Sequence, residues 1–169
     1  MKALKNKKIK GLFCLAVSLL VMCSVLPSGC ADNGGKQYGE GYFFDSSAPD
    51  GGDGTYSHPY NNIGVAESLD ISEGESIFLK RDSYFVGSLR LVGLEGTKDN
   101  PITVTAYGEG DDPKIDGDGL EGSGVVYIEN CSNLIVENLD IFDSVSTEGD
   151  RRGILLDATN PLAANENDV

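Results

Sequence analysis

From Ile77 onward the chain is a succession of short apolar, β-branched runs broken by Gly, Asn and Asp. The runs occupy 77–79, 89–92, 102–107, 114–116, 125–128, 134–136, 139–142 and 154–156. Three to six residues is strand length, too short for an amphipathic helix. None is followed by a helical stretch that could carry a βαβ crossover, which sets the doubly wound α/β folds aside. An antiparallel sandwich or barrel is compatible with this pattern. Spacing favours a coil of strands instead. Runs starting at Ile77, Ile102, Val126 and Ile154 lie 25, 24 and 28 residues apart. A second series starting at Leu89, Ile115 and Ile135 is spaced by 26 and 20. A strand recurring at such a period is the signature of a β-solenoid, in which each turn covers the apolar interior of its neighbour.

Within a run, alternation sorts the faces. Leu139 and Ile141 are expected inside and Asp140 in water. Asn130, Asn133 and Asn138 fall where bends are required, and Asn tolerates the left-handed backbone those bends use. Upstream, Tyr42, Phe43 and Phe44 read as a strand, and residues 50–54 form an Asp/Gly turn cluster. Ile63, Ala66 and Leu69 recur at intervals of three, which predicts one or two helical turns over 61–69, a short helical cap near the start of the domain.

The first thirty residues obey different rules. Lys2, Lys5, Lys7, Lys8 and Lys10 precede an uncharged apolar run of 15 residues from Leu12 to Leu26. A bilayer-spanning helix needs about 17–25 residues, so the arrangement reads as a secretory signal over 1–29. A permanent membrane anchor is the alternative. The signal ends in Leu26-Pro27-Ser28-Gly29-Cys30, which resembles the lipobox of bacterial lipoproteins. Pro27 departs from that pattern, because an aliphatic residue is usual there. The resemblance implies lipidation of Cys30, membrane lipid as a partner, and a position in the bacterial cell envelope, anchored on the outer side of the membrane. Cleavage after Ala31, giving a secreted protein, is the other reading. Residues 30–41 are polar and Gly-rich and are expected to be a flexible tether, with the domain proper over 42–169. Cys14 and Cys23 fall in the signal, so Cys131 alone remains and no disulfide can form inside the domain.

Charge narrows the partners. The whole chain carries a formal −14, and removal of 1–29 takes five lysines and leaves −19. Such a surface repels phosphate backbones, so nucleic-acid binding is excluded.

Several segments resemble the opening of pectin-lyase-like β-helix proteins: Gly96-Thr97-Lys98-Asp99-Asn100-Pro101-Ile102, Tyr107-Gly108-Glu109-Gly110, Pro113-Lys114-Ile115 and Asp116-Gly117. Gly74-Glu75-Ser76-Ile77-Phe78-Leu79 is similar to that family's first strand, with Glu73-Gly74-Glu75 where Pro-Gly-Asp is usual. Asn133-Leu134-Ile135-Val136-Glu137-Asn138-Leu139 is similar to its recurrent bend, and Arg151-Arg152-Gly153-Ile154 recurs in relatives with this opening. The resemblance spans about residues 42–160. It implies an all-β, right-handed parallel β-helix of about three turns, incomplete at its C-terminal end. It also implies a carbohydrate-active protein, of uronate type, that binds or cuts polysaccharide as a lyase or hydrolase. A non-catalytic glycan-binding or adhesin-type surface protein is the alternative. The motifs are turns and strands, so they carry fold rather than chemistry. The family's active sites lie on later turns, and none of their residues maps onto this chain.

Candidate chemistry is sparse. Asp50 and Asp53, set among glycines, could offer carboxylates to Ca²⁺; a plain turn is the competing reading. Asp111, Asp112, Asp116 and Asp118 form a second acidic group, which fails the EF-hand template at Leu120 and reads as turn chemistry. Arg151 and Arg152 could present a guanidinium to a sugar carboxylate, although on a strand they point to opposite faces. Pairing with Glu148, Asp150 or Asp157 is their structural role. His58, the single histidine, precedes Pro59 and suits a turn. Past 156 the pattern fades into an Ala- and Asn-rich tail without a recognisable cap, so the last turn is expected to leave its apolar interior uncovered.

Overall fold

The computed structural model describes residues 36–120, 123–145 and 149–158. The leader 1–29, Cys30 and the tail from 159 lie outside the described residues, as does Glu148. Ten strands form among them: β1 Gly41–Phe44, β2 Ser76–Lys80, β3 Tyr84–Val86, β4 Leu89–Val92, β5 Ile102–Tyr107, β6 Lys114–Asp116, β7 Gly124–Glu129, β8 Leu134–Val136, β9 Asp140–Phe142 and β10 Arg152–Asp157. A single 3₁₀ helix, Ile63–Ser68, is the only helix described. No helix among the described residues is long and apolar enough to cross a membrane.

The strands make three sheets, ordered β1-β2-β5-β8, β3-β6-β9 and β4-β7-β10. Every pairing between these strands is parallel. The expected all-β class holds, and the parallel pairing removes the antiparallel sandwich and barrel. From β2 onward the chain visits the first, second and third sheet in fixed rotation, three times over. Each visit lays a strand beside the one left a circuit earlier, so backbone groups are satisfied between circuits rather than within hairpins.

The spacing series needs correction. Ile77 and Ile102 belong to the first sheet, but Val126 and Ile154 belong to the third, where they face each other. Leu89, Ile115 and Ile135 lie in three different sheets. The true columns are Ile77-Val104-Val136, Phe85-Ile115-Ile141 and Leu89-Val126-Ile154, with separations of 27 and 32, 30 and 26, and 37 and 28 residues. Turn lengths differ between circuits, so a fixed period misassigns the sheets.

These columns supply one core. Ile77, Leu79, Leu89, Ile102, Val104, Ile115 and Val126 are fully buried in it. Each such side chain contributes about 1.5–3 kcal/mol by leaving water. Leu139 and Ile141 pack against the core while Asp140 is exposed, as the alternation requires. Asn130, Asn133 and Asn138 have φ of 51°, 48° and 57°, the left-handed bends anticipated for them. The 3₁₀ helix buries Ile63 and Ala66 and packs against β4, the edge strand of the third sheet. Asn62 caps it by accepting from the Gly64 amide, and the helix blocks an edge that would otherwise offer unpaired backbone.

At the other end the interior opens. Ile154 and Leu156 hold inward positions in β10, opposite the buried Val126 and the core-packed Ile128, yet are 55% and 74% exposed.

Candidate functional site

The loop from Ala48 to Tyr60 leaves β1 and returns before the 3₁₀ helix. Asp53 ends its first arm, and its Oδ1 accepts from the Thr55 amide and hydroxyl at 3.0 and 2.7 Å. Those two bonds lower the carboxyl below its ordinary value. Asp50 Oδ1 accepts from Asn61 Nδ2 at 2.7 Å, which fastens the loop to the residue before the helix cap. Donors within the loop therefore engage the Oδ1 of each carboxylate. Among the described residues no group of three His, Cys, Asp or Glu is placed to hold a metal. Asp50 and Asp53 work as turn residues here. His58 lies in the same turn, its Nδ1 3.1 Å from the Ser57 hydroxyl.

Arg151 and Arg152 are not brought to one place. Arg152 opens β10 and pairs with Asp150. Arg151 sits one residue earlier, largely covered, with Nη1 3.6 Å from Asp143 Oδ2. Asp143 Oδ1 in turn accepts from the amides of Gly119 and Val145 at 2.9 and 3.1 Å. Arg151 thus braces the bends that follow β6 and β9.

The second acidic group is bend chemistry as well. Arg81 pairs with Asp112 at 2.5 Å, and Asp82 Oδ1 accepts from the Asp111 amide at 2.9 Å. Asp116 is the buried member. Its Oδ1 accepts from the amides of Asp118 and Ser144 at 2.9 and 2.8 Å, and its Oδ2 from the Tyr84 hydroxyl. Burial pushes this carboxyl up, but those hydrogen bonds outweigh it and hold the group well below the usual carboxylate range.

The feature that best suits a ligand lies elsewhere, on the outer face of the first sheet. Phe43 and Phe78 face each other across β1 and β2, ring centroids 4.7 Å apart. Tyr38 packs edge-on against both and against Tyr107, and its hydroxyl accepts from the Gly108 amide at 2.8 Å. Tyr38, which falls within the stretch expected to be tether, is buried. Tyr56, from the loop, closes over Phe43 at 5.3 Å and Tyr107 at 5.9 Å and remains half-buried. Beside these rings Lys80 Nζ reaches Asp45 Oδ2 at 2.6 Å, with side-chain exposures of 46% and 11%. Burial raises the Asp45 carboxyl, and the bonds from Lys80 and Ser47 more than offset this, leaving it below its ordinary value. A cleft of about 350 Å³ opens here, walled by Tyr56, Tyr107, Asp45, Lys80, Pro49 and Pro59.

Sequence reasoning missed this cleft. Its residues come from four separate segments. The register that sets Lys80 beside Tyr107, the Asp45–Lys80 pair and the closing loop join them.

The chain is similar to a lacto-N-biosidase. The native crystal structure of the GH136 lacto-N-biosidase from Eubacterium ramulus matches with a TM-score of 0.59 and 27% identity, over 68% of this chain and 23% of that one. Its selenomethionine derivative matches with a TM-score of 0.59 and 26% identity, over 70% and 24%. This chain therefore spans about a quarter of the length of the enzyme it resembles. No family model matches the chain, and no curated protein matches it.

Proposed function

We propose that this chain is the opening part of a right-handed parallel β-helix belonging to a carbohydrate-active protein, exported and held at the bacterial envelope through lipid on Cys30. One observation carries the carbohydrate reading. A chain that rotates through three parallel sheets also resembles, at 27% identity, an enzyme named for its action on a sugar. The uncovered Ile154 and Leu156 support a β-helix that continues over β10, with any cleavage chemistry on further turns. The exported state rests on the basic and apolar leader and on the lipobox-like Ser28-Gly29-Cys30. In a bacterial host, labelled palmitate should enter the protein and the membrane fraction should hold it. Cys30→Ala should abolish both, and unchanged fractionation would refute the anchor.

The carbohydrate reading is tested by offering the full chain neutral and uronate oligosaccharides, following binding by calorimetry and cleavage by product release. Binding without products supports the non-catalytic, adhesin-like form; silence toward every glycan refutes the reading. The uronate type suggested by the pectin-lyase-like motifs has to contend with a formal charge of −14. It therefore requires a bridging cation, and polygalacturonate binding should then depend on added Ca²⁺.

A further inference from the structure

We propose that the cleft between Tyr56, Tyr107 and the Asp45–Lys80 pair binds one uncharged pyranose unit of a glycan; this rests on the carbohydrate reading above. At about 350 Å³ it lies near the lower end of ligand pockets, which run from about 300 to 1,000 Å³. That suits a single sugar residue held at a chain end or side branch. The lining has the required composition, aromatic walls with a few placed polar groups. A pyranose offers an apolar C–H face and a rim of hydroxyls. The half-buried Tyr56 ring can take the C–H face, whose weakly positive hydrogens suit the negative face of an aromatic ring.

The ion pair can take the rim. Asp45 is an acceptor and Lys80 a donor, and their charged atoms lie 2.6 Å apart, so neighbouring hydroxyls can be held by one of each. Opposite charges at that distance leave the spot with no net charge. A uronate would meet the Asp45 carboxylate inside an acidic molecule, and an amino sugar would compete with Lys80 for it. A neutral sugar meets neither penalty.

The site is also formed before a ligand arrives. Tyr107 is buried against Tyr38 and Phe43, Tyr56 stacks on Tyr38 with ring centroids 6.1 Å apart, and Pro49 and Pro59 stiffen the rim. The aromatic cluster lies outside the core of the sheets, so its losses and gains can be read without opening that core.

The chain contains no Trp, so Tyr56→Trp installs a single fluorescent reporter in the wall. The test titrates the full chain, Tyr56→Ala, Lys80→Met and Tyr56→Trp with panels of neutral and uronate oligosaccharides, with circular dichroism as the check on folding. The expected result is binding from the neutral panel, weakened roughly tenfold or more in the Ala and Met variants. Tyr56→Trp should retain binding and change its emission on titration. Neutral glycan binding that ignores both substitutions, with unchanged Trp emission, would overturn the cleft and leave the carbohydrate reading standing. Preference for uronates at the same residues would overturn the neutral assignment. No binding of any glycan would overturn both. Should the Ala and Met variants misfold, the Tyr56→Trp titration alone decides: emission indifferent to a glycan that binds would refute the site.

Discussion

Replacing Asp116 should unfasten three successive circuits at once. Its carboxylate ends β6, accepts from Tyr84 on β3 below and from the Ser144 amide beyond β9 above, and caps its own bend through the Asp118 amide. Hydrogen bonds to a charged acceptor contribute about 1.5–3 kcal/mol each. The full sum is too large, because Tyr84, Asp118 and Ser144 are exposed residues and water can reach part of what they lose. We expect Asp116→Ala to cost about 2–3 kcal/mol and Asp116→Asn about 1 kcal/mol. The Asn carbonyl keeps both amide bonds, while its NH₂ group obliges the Tyr84 hydroxyl to turn and accept. With a urea m-value of about 1–3 kcal/mol/M, the Ala variant should unfold roughly 0.7–3 M earlier.

Acid supplies an independent check. The folded-state pKa of Asp116 lies below its ordinary value of 3.8, so the unfolded chain takes up the proton first as pH falls. Its stabilisation is complete above the ordinary value and is lost as pH falls from about 4 toward the folded value. The parent should therefore lose urea resistance over that range, and Asp116→Ala should lose less of it. An Ala variant within about 1 kcal/mol of the parent, or an acid limb identical in both, would refute the claim that this carboxylate ties the circuits together.

Burial along the inward column of the third sheet sets a second expectation. Leu91→Ala should cost about 2–5 kcal/mol, whereas the exposed Leu156→Ala should stay within about 0.5 kcal/mol, both read from urea midpoints. Gly110 has φ of +121°, and an added Cβ would stand 2.1 Å from the Asp82 carboxylate. Gly110→Ala should lower stability by about 1–3 kcal/mol in the same assay, and a neutral result would count against the close approach of these two bends.

Most of the fold was legible because its signals are local. The runs at 89–92, 102–107, 114–116 and 134–136 coincide with β4, β5, β6 and β8. Three asparagines declared their bends because few other side chains accept a positive φ. The helical spacing over 61–69 gave the 3₁₀ helix. What failed was the assignment of strands to sheets, because turns of unequal length defeat a fixed period and one strand was missing. Tyr84-Phe85-Val86 is only three residues between two turns, and β3 left no periodic trace. Without it, Leu89 was grouped with Ile115, a residue of another sheet. With Phe85 restored, Phe85, Ile115 and Ile141 fall into one column.

The candidate chemistry was less legible, for a different physical reason. Acidic residues in bends look alike in a sequence whether they ligate a cation or cap backbone amides; only the positions of the donors separate the two. Here the donors are Thr55, Asn61, Asp111, Asp118 and Ser144, each within a bend or one circuit away. The cleft had no local signal at all. Asp45, Lys80 and Tyr107 become neighbours through lateral pairing of parallel strands, which joins residues about a circuit apart, and the loop folds Tyr56 over them. In such a fold the outer surface is written down the column, across turns of unequal length. A site there becomes readable once each strand has been assigned to its sheet.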